Sequence, residues 1–243
     1  ISTNIFANNT LDDRISSFSV ESKKILESSF SIVDAVEKLE LVNSRSEIKR
    51  LIKSDGIKVN DKNYNESNLS LCRYASEKDV LIVHASGNES KDLDKNENDN
   101  YPNDQFFENN EFSDTFINVG ASSINYDKNI KASFSNYGKS NVDIFAPGVR
   151  IYSTMPDNKY DFQSGTSMAA PSTSGVASLI FSYFPKLSAK KVKEIIIESG
   201  IKIDLQIENI YEDSKVPFKN LSKSGKIVNA YNALIMASRS KKK

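Results

Sequence analysis

Gly165-Thr166-Ser167-Met168-Ala169-Ala170-Pro171 opens an apolar run that continues through Val176, Leu179, Ile180 and Phe184. The small residues around Ser167 would let another backbone approach closely. A helix starting there offers unpaired N–H groups and a partial positive charge at its first turn. Both favour stabilising a developing oxyanion. Gly-Thr-Ser is equally a good helix start, so the string alone leaves a nucleophile and a plain cap both open.

Working outward, apolar runs with β-branched residues alternate with helical patterns. VLIVHAS (80–86) and FINVGASS (116–123) read as buried parallel strands. Between them, residues 89–110 are rich in Asn and Asp and read as a solvated loop. ASFSNYG (132–138) and VDIFAPGVRIYST (142–154) are strand-and-turn segments, and Ala146-Pro147-Gly148 has no evident chemistry. LSAKKVKEIIIESG (187–200) is an amphipathic helix capped by Ser188 and closed by Gly200, and residues 229–243 form a last helix with a basic end. Strands alternating with helices predict an α/β fold. Ala85-Ser86-Gly87-Asn88 ends the first of these strands, where open α/β sheets place their sites. A turn asparagine after glycine is the plainer reading of Asn88 taken by itself.

Taken in order, these segments resemble the subtilisin-like serine proteases (peptidase S8). GTSMAAP resembles the nucleophile motif and HASGNES the oxyanion strand. Tyr101-Pro102, FINVGASS, ASFSNYG and IFAPG match later strands, LSAKKVKEIII the helix after the nucleophile helix, and Gly225 begins a closing G-x-[IV]-[ND]-A-x-x-A pattern. The resemblance runs from about Val80 to Ala237. It implies an incomplete subtilisin-like parallel sheet flanked by helices. It also implies Ser167 as nucleophile, Asn88 as oxyanion donor, and substrate contacts at Ala85, Ser86, Gly87, Gly165 and Thr166. The implied partner is a polypeptide substrate.

The sequence departs from the family pattern upstream. Neither the H-G-T-H-V-A-G motif of the base nor the D-[ST]-G motif of the orienting acid occurs. His84 is the single histidine; it lies four residues before Asn88, roughly 13 Å along a strand. A general base must come within about 3 Å of the hydroxyl. The expectation is therefore a strand histidine, a peptidase part with little activity by itself, and an exposed sheet edge.

Residues 72–243 are expected to form this peptidase part, with residues 31–71 as a separate small α+β unit and residues 1–30 as linker and short helix. Ser44 and Glu47 fit a capping box, Ile48, Leu51 and Ile52 an apolar stripe, and Gly56 a helix end. Arg45, Lys49 and Lys53 share one helix face; with Arg50 and Lys58 they outnumber Glu47 and Asp55 by three. SRSEIKRLIKSDGIKVND (44–61) resembles an S4-type RNA-binding domain, and the stretch from Ser2 to Leu71 resembles the end of a bacterial tyrosyl-tRNA synthetase. The resemblance implies structured RNA as a partner, held through Arg45, Lys49, Arg50, Lys53 and Lys58.

Lys plus Arg and Asp plus Glu are 32 each, which excludes attraction of the whole surface to nucleic acid or anionic membrane. One cysteine, Cys72, excludes an intrachain disulfide and a cysteine-rich zinc site. No cofactor or catalytic metal is expected; Asp92, Asp94 and Asn96 alternate as calcium ligands can, without the glycine or terminal glutamate of a calcium hand. No run is long enough for a membrane span and no signal-peptide pattern is seen, so the compartment stays open: the protease part implies export, the S4-like part the cytoplasm. Three readings follow: a subtilisin-like endopeptidase part completed by other residues, an RNA-binding module joined to a non-catalytic protease remnant, or a join near residues 70–74 of two unrelated pieces.

Overall fold

The structure is a computed structural model that describes residues 2–6, 17–21, 44, 46, 58–59, 62–63, 66–95, 98, 100, 102–106, 110–111, 113–209 and 214–240. The chain divides into two units, Ile1–Asn68 and Leu69–Lys243. In the first, Ser2–Phe6 (β1) pairs antiparallel with Ser17–Glu21 (β2), and Lys58–Val59 (β3) with Lys62–Asn63 (β4). Ser44 is exposed and its hydroxyl lies 3.1 Å from that of Ser46. Glu47, the other half of the expected capping box, lies outside the described residues, as do Ile48, Leu51, Ile52 and Gly56.

Glu66–Glu77 (α1) leads into the second unit. Ile82–Ala85 (β5) follows, then the short antiparallel pair Gln105–Phe106 (β6) and Asn110–Glu111 (β7), then Phe116–Ser122 (β8), Ile144–Pro147 (β9) and the hairpin Ile151–Met155 (β10) with Lys159–Gln163 (β11). Thr166–Tyr183 (α2) and Ala189–Ser199 (α3) come next. Ile201–Lys202 (β12), the hairpin Gln206–Asn209 (β13) with Ser214–Pro217 (β14), Lys226–Ile227 (β15) and Ala230–Ser240 (α4) complete the order. The main sheet runs β12-β15-β9-β8-β5. Its pairs are parallel except β12–β15. The fold is thus α/β, with mostly parallel strands flanked by helices.

β8 explains why the sheet forms here. Every residue of it is buried, and strands pair along both its edges. Side chains alternate across a strand. Ile117, Val119 and Ala121 therefore pack with Ile144 and Ala146 against Ala169, Val176, Ala177 and Ile180 of α2, Val192, Ile195 and Ile196 of α3, and Ala233 and Ala237 of α4. A second cluster surrounds Phe145 and Phe218, whose ring centroids are 5.1 Å apart. α3 begins as its sequence dictates: Ser188 accepts the Lys191 N–H at 3.2 Å.

Two expectations are corrected. β5 is parallel, but it is half-buried throughout, because it is the outermost strand of the sheet. ASFSNYG is a loop, tied to β8 by Ala132 N–H donating to Ala121 O and Ala121 N–H donating to Ser135 Oγ, with Tyr137 bridging Asp92. In the Asn/Asp-rich stretch, Asp94 accepts from Ser140 N, Asn141 N and Asn141 Nδ2, so its carboxylate staples two loops.

The amino-terminal ends of the strands gather charge. Asp143 is buried and accepts from Asn118 N at 2.7 Å. Lys193 lies 3.6 Å from Glu111 and 4.0 Å from Asp143, and Lys223 pairs with Glu111 and with Asp143 at 3.5 Å. Asp104 is 6% exposed and its Oδ2 has no hydrogen-bond partner among the described residues. Burial pushes its carboxyl up to about 7, helped by Asp143 and opposed by Lys193 and Lys223. Burial, then Asp104, pushes the Cys72 thiol up to about 11, which makes it a poor nucleophile.

A carboxyl whose folded pKa lies above its unfolded value binds protons better in the native state. Stability then declines as pH rises from about 4 to about 7, and levels off above. Asp104→Asn should remove that decline and stabilise the fold at pH 8, by up to the order of 4 kcal/mol relative to the parent. Urea denaturation of both proteins at pH 5 and pH 8 checks this.

Candidate active site

α2 starts at Gly165, whose backbone serves as N-cap without a side-chain cap. Of the first-turn donors, Thr166 N–H goes to Asn88 Oδ1 at 2.9 Å and Met168 N–H to Gly165 O at 3.0 Å. Ser167 N–H, between them, finds no acceptor among the described residues. Ser167 itself is exposed. A helix N-terminus with a free N–H beside an exposed hydroxyl favours negative charge at that point.

Asn88 faces this turn from the end of β5. Its Oδ1 accepts from both the backbone and the hydroxyl of Thr166, each at 2.9 Å. A backbone N–H can only donate, so the amide oxygen must face Thr166 and the NH2 must face away. Asn88 Nδ2 accordingly lies 3.4 Å from the position a Cβ would take on Gly165. The Thr166 hydroxyl also accepts the Gly87 N–H at 3.1 Å. A chain of donors thus runs from Gly87 through Thr166 to Asn88.

Two loops support this arrangement, and sequence reasoning gave neither a role. Asn136, in ASFSNYG, is 2% exposed. Its Oδ1 accepts from Glu89 N and Lys91 N, and its Nδ2 donates to Ser86 O at 2.8 Å and Glu89 Oε2 at 2.7 Å. Four hydrogen bonds from one side chain hold the turn that carries Asn88. Gly87 sits at its centre with φ +98°, a conformation that glycine adopts without penalty. In Ala146-Pro147-Gly148, the carbonyl of Gly148 accepts Gly165 N–H at 2.8 Å. A Cβ on Gly148 would fall 2.7 Å from Ala121 Cβ and 2.8 Å from Gly165 O. The nucleophile turn can lie this close only because residue 148 has no side chain. The glycine and the buried asparagine were visible in the sequence; their partners, distant along the chain, were not.

The structure brings together Ser167, Asn88, Gly87, Gly165 and Thr166, with half-buried Ala85 at the end of β5. Thr166 is 1% exposed and its hydroxyl is engaged with Asn88 Oδ1 and Gly87 N–H. Ser86 is fully buried, its carbonyl accepting from Asn100 and Asn136. His84 Nδ1 lies 3.2 Å from Asn118 Oδ1 and its ring centroid 5.6 Å from that of Phe116. That is a strand environment, as expected. Among the described residues no group of three or more His, Cys, Asp or Glu could hold a metal ion. Of the expected RNA contacts, Arg45, Lys49, Arg50 and Lys53 lie outside the described residues, and Lys58 lies on β3.

An exposed serine at a helix N-terminus, a free N–H and a fixed amide across a parallel-sheet edge are the makings of a serine hydrolase site. The subtilase family (peptidase S8) matches residues 20–225, and the chain belongs to that family. It is 48% identical over 80 residues to subtilisin DY of Bacillus licheniformis, covering 33% of this chain and 28% of that protein. It is 37% identical over 146 residues to subtilisin-like protease 2 of Plasmodium falciparum (57% and 10%), and 33% identical over 145 residues to the cell wall-associated protease of Bacillus subtilis (58% and 14%). The chain thus spans less than a third of the length of these curated relatives. The A-subunit of the AB5 toxin from E. coli superposes with TM-score 0.55 at 25% identity, over 70% of this chain and 54% of that one. The match at residues 20–225 takes in most of the stretch read as S4-like, and none of these relatives supports an RNA-binding domain there.

Thr166→Val keeps the side-chain shape but leaves Gly87 N–H without its acceptor and Asn88 with one donor fewer. It should cost about 1–3 kcal/mol, while Thr166→Ser should retain most of the stability. Urea denaturation of the three proteins measures both.

Proposed function

We propose that this chain carries the nucleophile-bearing part of a serine endopeptidase site that acts on polypeptides. Ser167 Oγ attacks the scissile carbonyl, and Ser167 N–H with Asn88 Nδ2 holds the oxyanion. The peptide nitrogen then leaves with a proton, and water releases the acyl group from Ser167. The observation that carries the reading is the anchoring of Asn88 Oδ1 on Thr166, which leaves the amide donors on the side of the Gly165 turn.

The attack needs a base to take the hydroxyl proton. The only histidine in the sequence is His84, on β5 and in contact with Asn118. No residue of this sequence is assigned as base or orienting acid, so full activity requires a segment that supplies the histidine and aspartate. Loss of the whole triad costs near 2 × 10⁶ in rate, a figure roughly transferred from subtilisin, a member of this same family.

A fluorophosphonate probe should therefore label Ser167 in the purified chain no faster than an ordinary serine. Adding a subtilase segment that bears the histidine and aspartate motifs should bring both labelling and casein hydrolysis, and Ser167→Ala should remove both. Protease-like labelling without the added segment would overturn the need for it. In the completed enzyme Asn88→Ala should lower kcat by about 10²–10³, the value known for subtilisin's own oxyanion asparagine.

A second reading rests on the excess of basic residues in the N-terminal stretch. Arg45, Lys49, Arg50, Lys53 and Lys58 would bind structured RNA through its phosphates. Binding of tRNA in a mobility-shift assay should weaken with salt and on charge reversal at Arg45 and Lys49; binding indifferent to both would remove this reading.

A further inference from the structure

The β10–β11 hairpin runs directly into the nucleophile turn, from Gln163 through Ser164 to Gly165. Tyr152 pairs with Phe162 and Thr154 with Tyr160, so all four side chains share one face. The opposite face holds Ile151, Met155 and Gln163, which are half-buried. The aromatic face therefore looks outward: Tyr152 is 60% exposed, Tyr160 61% and Phe162 49%. The rings are mutually ordered, Tyr152 lying 5.8 Å from Tyr160 and 5.0 Å from Phe162. Three large aromatic side chains held together in water are a costly surface for a chain to present without use.

Arg150 ends this ladder on the side nearest the active site. Its guanidinium lies over the Phe162 ring at 5.0 Å. Its backbone is left-handed, φ +55°, a conformation unfavourable for an arginine. Its N–H donates to Ser164 Oγ at 2.9 Å, which pins the base of the hairpin to the nucleophile turn. No carboxylate shares this face, since Asp161 points to the other side, and no ion pair engages Arg150 among the described residues. The turn itself is rigid for its length: Pro156 precedes Asp157 and Asn158, both at positive φ, which short polar side chains tolerate.

We propose that this face is a docking surface for the substrate polypeptide, and that it selects segments in which an acidic residue neighbours an aromatic one. The aromatic rings of the ladder stack on the substrate's apolar side chain while Arg150 takes its carboxylate. Continuity with Ser167 identifies the occupant, because a chain seated at the nucleophile turn reaches the hairpin without a break. Five extended residues span the hairpin, about 17 Å. The inference rests on the protease reading for the identity of the occupant, while the binding itself needs no catalysis.

The test is fluorescence anisotropy with the full chain and two fluorescein-labelled peptides of about ten residues, one alternating Glu and Phe, the other Lys and Phe. The acidic peptide should bind roughly three- to ten-fold tighter. Arg150→Glu should reverse the order of the two peptides, and Tyr160→Ser with Phe162→Ser should weaken both. All three positions are exposed, and thermal melts confirm that the variants fold. Equal binding of the two peptides, or a preference that survives Arg150→Glu, would overturn the proposal. Ser167 labelling is read separately: peptide selection that persists in Ser167→Ala supports the surface whatever becomes of the nucleophile assignment.

Discussion

The Thr166 N–H reaching Asn88 Oδ1 joins the two parts of the site that lie far apart in sequence. A helix leaves its first N–H groups unpaired, and one of them must be satisfied if it is to be covered. Here the acceptor is the side chain of Asn88, from the turn that follows β5. That choice fixes the amide: with the oxygen committed to Thr166, the NH2 is directed over the Gly165 turn. It also leaves Ser167 N–H as the remaining first-turn donor. One backbone hydrogen bond therefore sets the orientation of the side-chain donor and isolates the main-chain donor beside it. The other contacts around the turn preserve this geometry. Asn136 holds the Asn88 loop from below, and Gly148 lets the nucleophile turn approach β8.

Much of this was legible in local strings. GTSMAAP and SGNES are short, and each encodes a turn whose shape is decided by neighbours within a few residues. The parallel strand at Phe116–Ser122 was legible because a continuous apolar run of that length has to be buried on both faces. What could not be read was partnership across the chain. Asn136 looks like any loop asparagine until Ser86, Glu89 and Lys91 surround it. VLIVHAS carries the pattern of an inner strand, yet it lies at an edge, because strand order is not written in strand composition. The burial of Thr166 could not be read either, because its hydroxyl is held by Asn88, which sits seventy-eight positions earlier.

The two ends of the sheet show opposite solutions to burying polarity. At the carboxyl ends the charged groups have partners: Lys131, which burial lowers to about 8, donates to Ala132 O and Ser135 O, and Glu89 accepts from Asn136. At the amino ends, Asp104 and Asp143 are buried next to Lys193 and the half-exposed Lys223. Pairing is incomplete there, since Asp104 Oδ2 and Asp143 Oδ1 lack hydrogen-bond partners. Burial of an incompletely paired charge costs more than attraction returns, so this end weakens the native state at neutral pH. The cost falls on a region remote from Ser167, where pH can change stability without changing the geometry of the oxyanion donors.

If Asn88 and Ser167 N–H form the proposed oxyanion pocket, their order has chemical value apart from any base. In the subtilisin family, removal of the triad leaves a residual acceleration of roughly 10³–10⁴ over water from oxyanion stabilisation and binding. Oxyanion stabilisation depends on donors being fixed before the reaction, and Asn88 is fixed by Thr166 whether or not a histidine is near. The base, by contrast, acts only when it is within hydrogen-bond reach of Oγ, so its contribution vanishes once it is elsewhere. The preorganisation of the Asn88 amide is internal to the turn after β5, the Asn136 loop and α2. On the proposed reading, a base and its orienting acid would meet a turn already held by hydrogen bonds of its own.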